Sequence, residues 1–98
     1  MDNSIYYVVI LQPPGEPREL TTEAIAKHAQ HLRELDVDEK LVLAGPFMDH
    51  PSGLLVLRSN NKDEIKSIMD QDPLIRGGFR SYEVRTWLMA NKTNNYRP

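Results

Sequence analysis

The sequence predicts one α+β domain in which two helices cover the same face of a four-stranded antiparallel sheet. Its 98 residues are enough for a single compact domain. Segments rich in β-branched residues and segments with helical periodicity follow one another in the order β-α-β-β-α-β. Right-handed crossover connections place both helices of that order on one side of the sheet. The predicted architecture is therefore a ferredoxin-like βαββαβ sandwich.

The first strand and the first helix are predicted from composition and periodicity. Residues 5–11 are β-branched, aromatic or leucine and precede a Pro-Pro-Gly turn, as expected of a strand. A proline-rich loop leads from there to residues 22–35, where apolar side chains recur at helical spacing. Thr21 or Thr22 is the expected N-cap of this helix, because a threonine hydroxyl can accept from the free N–H groups of a first turn.

An antiparallel hairpin and a second helix are predicted next. Residues 40–47 and 54–59 are the two hairpin strands, joined by a short turn. Residues 61–71 then form a helix with Asn60 or Asn61 as its cap. The predicted buried stripe of this helix consists of Ile65, Ile68 and Met69.

The last strand closes the predicted domain. The stretch DPLIRGG breaks the second helix, because the residue before a proline disfavours helical geometry. Residues 79–89 follow as the fourth strand and complete a single domain over residues 1–90. Residues 91–98 form a polar C-terminal tail, which is expected to fray.

Composition narrows the class of protein. The net charge is −2 with histidine neutral, so no general attraction to nucleic acid or to an anionic membrane is expected. The chain has no cysteine, which rules out disulfides, thiolate metal sites and a cysteine nucleophile. The N-terminal segment lacks the features of a signal peptide, and its apolar run is too short to cross a bilayer. We therefore expect a cytoplasmic protein with no nucleic-acid or membrane partner.

The strands themselves predict a homodimer. Residues 5–11, 41–44 and 54–57 are apolar almost without interruption, whereas a sheet with one face in water would alternate apolar and polar residues. Both predicted helices cover the same face. A second copy of the chain, packed against the open face of the sheet, is the natural cover for the other one.

One histidine stands in the apolar face of the first helix. At about 100° per residue, His28 falls within the arc of Ile25, Leu32 and Leu35, which is the face expected to be buried. A lone histidine there is either a packing residue with a satisfied hydrogen bond or a group that carries acid–base chemistry.

Metal or haem binding is the alternative role for this histidine. His28 and His31 are spaced to face one ion, with His50 or Asp49 as further ligands. A haem would need His28 alone. No established metal-binding spacing is present, so the expectation is that no cofactor is required.

Asp72 is the carboxylate that most deserves comparison with His28. The Asp-Pro pair alone would explain an aspartate that ends a helix. However, both helices lie on one face of the predicted sheet, with His28 midway along the first and Asp72 at the exit of the second. Whether the two side chains meet depends on the offset of the helices, which the spacing leaves open.

Four features in their order along the chain resemble the YciI-like (YCII-related) family. They are the histidine in the first helix, the LAGP segment of the second strand, the Asp-Pro pair and the closing EVRTW strand, and together they cover residues 6–87. The resemblance implies a dimeric α+β barrel with an active site built on a histidine and an aspartate. The family's spacing to the alanine of its AGP segment, here Ala44, selects His28 rather than His31, and its DP aspartate corresponds to Asp72.

The resemblance also implies a type of reaction. A family member dehydrochlorinates a chlorinated hydroxyquinol, and muconolactone isomerases share the broader fold. The resulting hypothesis is an isomerase or lyase of small aromatic or lactone-type substrates, with His28 as acid or base and Asp72 orienting it. The alternative is a non-catalytic small-ligand-binding or accessory module in which the His–Asp pair is structural. The expected substrate-binding residues are Arg76, which suits a carboxylate, and Tyr7, Phe47 and Phe79, which offer an apolar wall.

Overall fold

The computed structural model describes residues 4–97, which form a four-stranded sheet with its helices on one face. The elements are β1 (Ile5–Gln12), α1 (Thr22–Val37), β2 (Leu41–Pro46), β3 (Gly53–Leu57), α2 (Lys62–Asp70), α3 (Pro73–Arg76) and β4 (Ser81–Leu88). The strand order is β2-β3-β1-β4, and every neighbouring pair is antiparallel. The predicted ferredoxin-like α+β fold is confirmed. Residues 1–3 of the predicted domain and Pro98 of the predicted tail lie outside the described residues.

Side-chain caps fix where the two long helices begin. The Thr21 hydroxyl accepts a hydrogen bond from the N–H of Ala24 at 3.0 Å. The Asn61 side chain accepts one from the N–H of Glu64 at 2.8 Å. Of the two candidates at each helix start, Thr21 and Asn61 are therefore the caps, and both have the extended backbone that this position favours.

The core lies between the sheet and the helices. Alternate residues of β1 point into it, and so do two residues of β3: Tyr7, Val9, Leu11, Leu55 and Leu57. The stripe predicted for α2 is buried there as expected, together with Ala24 and Leu35 of α1. Each fully buried aliphatic side chain contributes about 1.5–3 kcal/mol of hydrophobic free energy, so this layer holds the helices in place.

On the opposite face of the sheet, none of the helices in residues 4–97 is packed. The β1 residues that alternate with the core residues point to this side, and their cross-strand partners follow: Tyr6 pairs with Trp87, and Val8 pairs with Val56. Leu43 of β2 continues the same row next to Val56 and is 64% exposed. We call these five residues the open face.

Two segments differ from the sequence-based expectation. The break after α2 contains a one-turn helix, α3, because Asp72 caps it and Pro73 occupies its first position, where a missing N–H costs nothing. The tail was expected to fray, but Lys92–Asn94 form a 3-10 turn, and the Asn91 side chain donates to the Ser4 hydroxyl at 2.9 Å. Hydrogen bonds thus tie residues 91–94 to the start of β1.

Among residues 4–97, no helix combines the length and the apolar composition that crossing a membrane requires.

Candidate functional site

His28 and Asp72 are in contact where α1 packs against α3. The Nδ1 atom of His28 lies 3.0 Å from Oδ1 and 2.9 Å from Oδ2 of Asp72. The carboxylate is fully buried, whereas the imidazole is 17% exposed. The offset of the helices, which the spacing left open, therefore brings the two side chains together.

The backbone of α3 holds the Asp72 carboxylate in place. Its Oδ1 accepts from the N–H of Leu74 at 2.9 Å, as an N-cap does. The Asp72 carbonyl accepts from the N–H groups of Ile75 and Arg76, and its own N–H donates to the Met69 carbonyl. A buried carboxylate is costly unless it is hydrogen-bonded, and here the cap and the imidazole together satisfy it.

This arrangement selects one tautomer of the imidazole. An ionised carboxylate can only accept, so the His28 Nδ1 carries the proton and donates it to Asp72. Nε2 then keeps its lone pair. Nε2 has no hydrogen bond within residues 4–97, and this atom is not fully buried. The free ring nitrogen is therefore partly exposed, and the carboxylate lies on the opposite side of the ring at Nδ1.

His28 opens onto a cavity of about 390 Å³ between α1 and the β2–β3 end of the sheet. The apolar lining residues are Leu11, Leu20, Ile25, Ala29, Leu32, Ala44, Gly45, Pro46, Phe47, Pro51, Gly53 and Leu55. Ile25 was expected to be buried, but it is 50% exposed, because this part of the α1 face borders the cavity rather than the core. A histidine fits an apolar helix face here because the face bounds a hollow.

The outer wall of the cavity is the loop of residues 47–52, which connects β2 and β3. The Phe47 N–H donates to the Ser52 carbonyl at 2.9 Å, and the Ser52 N–H donates to the His50 carbonyl at 2.8 Å. The His50 Nδ1 lies 2.8 Å from the Ser52 hydroxyl. These hydrogen bonds stay within the loop and involve no residue of α1 or α3.

Arg80 reaches the same cavity from the turn before β4. The Leu74 carbonyl accepts from the N–H groups of both Phe79 and Arg80, at 2.9 and 3.0 Å. Gly78 has a φ of +73°, and a side chain at Gly77 would meet the Phe79 ring at 2.5 Å. The two glycines thus allow the sharp reversal that brings Arg80 back towards the cavity.

A family model described as the YCII-related domain matches residues 5–88. The chain belongs to the YCII-related family. The resemblance inferred from the four sequence features is confirmed.

Two comparisons place the chain among YCII-related proteins and solved folds. It is 29% identical over 65 residues to the uncharacterized protein YjpA of Bacillus subtilis (strain 168), a match that covers 66% of this chain and 76% of YjpA. It also resembles the structure of 5-chloro-2-hydroxyhydroquinone dehydrochlorinase from Burkholderia phenoliruptrix AC1100, solved in complex with 2,5-dihydroxybenzoquinone. That likeness has a TM-score of 0.63 at 23% identity and covers 90% of this chain and 98% of the dehydrochlorinase. The second likeness establishes the fold.

The expected substrate-binding residues of this YCII-related chain lie in three different places. Phe47 lines the cavity beside His28. Arg76 and Phe79 line a separate depression of about 460 Å³ that also includes Lys27. Tyr7 is buried in the core and lines neither hollow.

Sequence reasoning missed Arg80 and His50 as residues of the cavity. The Gly-Gly pair before Arg80 was the available signal, because two glycines permit a reversal that separates the directions of Arg76 and Arg80. His50 was considered for metal binding alone.

The side-chain positions also bear on the metal-binding alternative. Among residues 4–97, no group of three or more His, Cys, Asp or Glu side chains is arranged to hold a metal ion. The Nε2 atom of His31 is buried without a hydrogen-bond partner, and His31 lines a different depression from His28.

Proposed function

We propose that this chain is a small-molecule enzyme in which His28 transfers a proton and Asp72 orients its ring. The observation that carries the proposal is the pairing of Nδ1 with a fully buried carboxylate while the rest of the imidazole borders a cavity of about 390 Å³. Such a volume lies in the range of small-molecule sites. The reaction class is isomerisation or elimination of small aromatic or lactone-type substrates.

The proposed reaction begins at the His28 Nε2, which accepts a proton from a carbon or oxygen acidified by a neighbouring carbonyl. The imidazolium that forms donates through Nδ1 to Asp72. In an isomerisation, Nε2 returns the proton to another atom of the substrate as the double bond moves. In an elimination, the electron pair left on the substrate expels a leaving group such as chloride, and Nε2 later loses its proton to water. General acid–base catalysis of this kind contributes about 10²–10⁴-fold in rate.

The dehydrochlorinase with the same fold supports this class of reaction by analogy. That enzyme acts on a chlorinated ring and was solved with a dihydroxybenzoquinone bound. The apolar walls of the cavity suit a ring of that size.

The test uses two variants that keep the shape of the site. His28→Gln removes the base. Asp72→Asn presents an amide N–H to Nδ1, which moves the ring proton to Nε2 and leaves no lone pair towards the cavity. With 5-chloro-2-hydroxyhydroquinone and with unsaturated lactone acids, we expect the wild type to release chloride or move a double bond. Each variant should lower kcat about 10²–10⁴-fold.

His31→Gln is the control, because His31 lies outside the cavity and makes no side-chain hydrogen bond among the described residues. It should leave turnover unchanged. If the probes bind to the wild type without turnover, the proposed enzymatic function is contradicted and the non-catalytic ligand-binding module is favoured. Equal rates for wild type and His28→Gln would remove His28 from the mechanism.

We also propose that two copies pair through the open face. Leu43 and Trp87 are 64% and 41% exposed, and aromatic and aliphatic side chains continue between them across β1. Arg85 and Glu83 of β4, which form an ion pair with each other, border this apolar row on the same side of the sheet. An exposed apolar patch with a polar border is typical of a protein interface. The cytoplasmic location and the lack of nucleic-acid and membrane partners stay predictions.

A further inference from the structure

The charged and titratable side chains that line the cavity are all basic: one arginine and two histidines. Among the lining residues, Arg80 carries a permanent positive charge, and His28 and His50 are imidazoles. No Asp or Glu of the described residues lines the cavity, because Asp72 lies behind His28 and is fully buried. The cavity therefore offers cationic and neutral donors in an otherwise apolar hollow.

Within residues 4–97, the Arg80 guanidinium makes one hydrogen bond and leaves its other N–H groups without a protein partner. Its Nη1 donates to the Phe79 carbonyl at 2.7 Å, which anchors the group. Within residues 4–97, Arg80 forms no ion pair, whereas Arg85 pairs with Glu83 at 3.1 Å. The remaining N–H groups of a guanidinium are arranged as a fork that matches the two oxygens of a carboxylate. A half-buried cation without a carboxylate partner is a recognition element for an anion.

We propose that the ligand of this cavity is a small monoanionic ring compound whose carboxylate or ionised enol oxygen binds Arg80. This inference rests on the proposed function and names its substrate class. The ring lies between Phe47 on the loop wall and Leu55 on the sheet. Holding the anionic end at Arg80 turns the reacting carbon towards the His28 Nε2. The same guanidinium stabilises the negative charge that develops as the proton leaves.

The test compares two probes of nearly the same shape, 2,5-dihydroxybenzoate with its anionic carboxylate and 2,5-dihydroxybenzamide with a neutral amide in the same place. Calorimetric titration measures the Kd of each for the wild type, Arg80→Gln and Arg80→Lys. We expect the wild type to bind the carboxylate at least about tenfold more tightly than the amide, since each tenfold corresponds to about 1.4 kcal/mol, which one charge-assisted hydrogen bond can supply. Arg80→Gln should abolish that preference, and Arg80→Lys should keep part of it.

Arg33→Gln is the matched control, because Arg33 is exposed on α1, lies outside the cavity and loses the same charge. It should keep the full preference. Arg76→Gln tests the competing anchor that the sequence suggested. Loss of the preference in Arg76→Gln but not in Arg80→Gln would overturn the proposal. Equal affinities of the wild type for acid and amide would overturn it too, as would no saturable binding of the acid at millimolar concentration.

The failure of this inference is distinguishable from failure of the proposed function. His28→Gln should lose turnover and keep the preference for the carboxylate. If His28→Gln keeps both turnover and the preference for the carboxylate, the acid–base role of His28 is wrong and the anion site at Arg80 is supported. If turnover depends on His28 while the wild type does not discriminate between acid and amide, the anion site at Arg80 is wrong and the proposed acid–base function is supported. Thermal unfolding of Arg80→Gln and Arg80→Lys verifies that both variants are folded.

Discussion

At the scale of single residues, the double role of Asp72 explains why this position holds an aspartate. Its Oδ1 caps α3 through Leu74, and both carboxylate oxygens accept from His28. A helix-ending Asp-Pro turn accounts for the first role but not for the second. The side chain therefore links the local geometry of one turn to the ring orientation and tautomer of a residue 44 positions away.

Replacing Asp72 should separate these two roles. Asp72→Ala removes the cap, which costs about 0.5–2 kcal/mol, and leaves the His28 N–H unpaired, which costs about 1–3 kcal/mol more. Asp72→Asn keeps an oxygen for Leu74, because asparagine is an equally good cap, so its loss of stability should be clearly smaller. Urea unfolding followed by circular dichroism measures both. Equal losses would show that the side chain does not cap α3.

At the scale of elements, α2 and β4 are joined by a hydrogen-bonded triad outside the cavity. The Tyr82 hydroxyl donates to Asp70 Oδ1 at 2.8 Å, and the Lys66 ammonium donates to Asp70 Oδ2 at 2.9 Å. Burial, followed by the hydrogen bond to Asp70, raises the pKa of Tyr82 to about 12. The hydrogen bonds from Lys66 and then Tyr82 hold the pKa of Asp70 below its usual range.

This triad predicts how stability falls at high pH. The pKa of Tyr82 rises from 10.0 in the unfolded chain to about 12 in the fold. Its contribution is therefore complete below pH 10 and is lost as the pH rises towards 12. Tyr82→Phe cannot ionise, so the stability difference between wild type and this variant should shrink across that window. Urea midpoints measured from neutral to alkaline pH provide the comparison.

Tyr96→Phe is the control for that experiment, since Tyr96 is 68% exposed in the C-terminal tail. Its stability should follow the wild type at each pH. A constant difference between Tyr82→Phe and wild type over the whole range would mean that burial does not oppose ionisation of Tyr82.

The same scale shows how far sequence reasoning extends. The helical stripe of α2 reports burial directly, so its buried face was predictable. The nearly unbroken apolar run of β1 predicted a strand but not which of its side chains point into the core. The meeting of His28 with Asp72 depends on how α1 and α3 slide past each other, which is a tertiary property. Whether Arg76 or Arg80 lines the cavity depends on the chain reversal at Gly77 and Gly78, which sends the two arginine side chains into different hollows. The hydrogen bond from Asn91 to Ser4 could not be predicted, because it joins distant parts of the chain.

At the scale of the whole molecule, the two faces of the sheet differ in what covers them. One face is covered by helices and carries the cavity. The open face is apolar apart from the Arg85–Glu83 pair beside it on β4, and none of the helices in residues 4–97 packs on it. A chain of 98 residues buries only a modest core, so pairing two such faces would add considerable hydrophobic stabilisation.

Leu43→Glu should therefore dissociate the proposed dimer. In a twofold interface the substitution appears twice, and each carboxylate would have to be desolvated against the partner's apolar side chains. Light scattering after size exclusion should give about twice 11.3 kDa for the wild type and about 11.3 kDa for the variant. Met48→Glu is the control, because Met48 is 96% exposed in the loop of residues 47–52. A monomeric wild type would contradict the pairing.

The hydrogen bonds within residues 47–52 separate the part of the cavity that shapes the ligand site from the part that carries the proposed chemistry. This loop shapes one side of the hollow, while the imidazole and its carboxylate stand on helices that share none of its backbone hydrogen bonds. Relatives could diverge in what they accept by exchanging this short segment, without rebuilding the groups that move the proton. Grafting the equivalent loop from another member of the family is thus a direct route to altered substrate preference on an unchanged chemical framework.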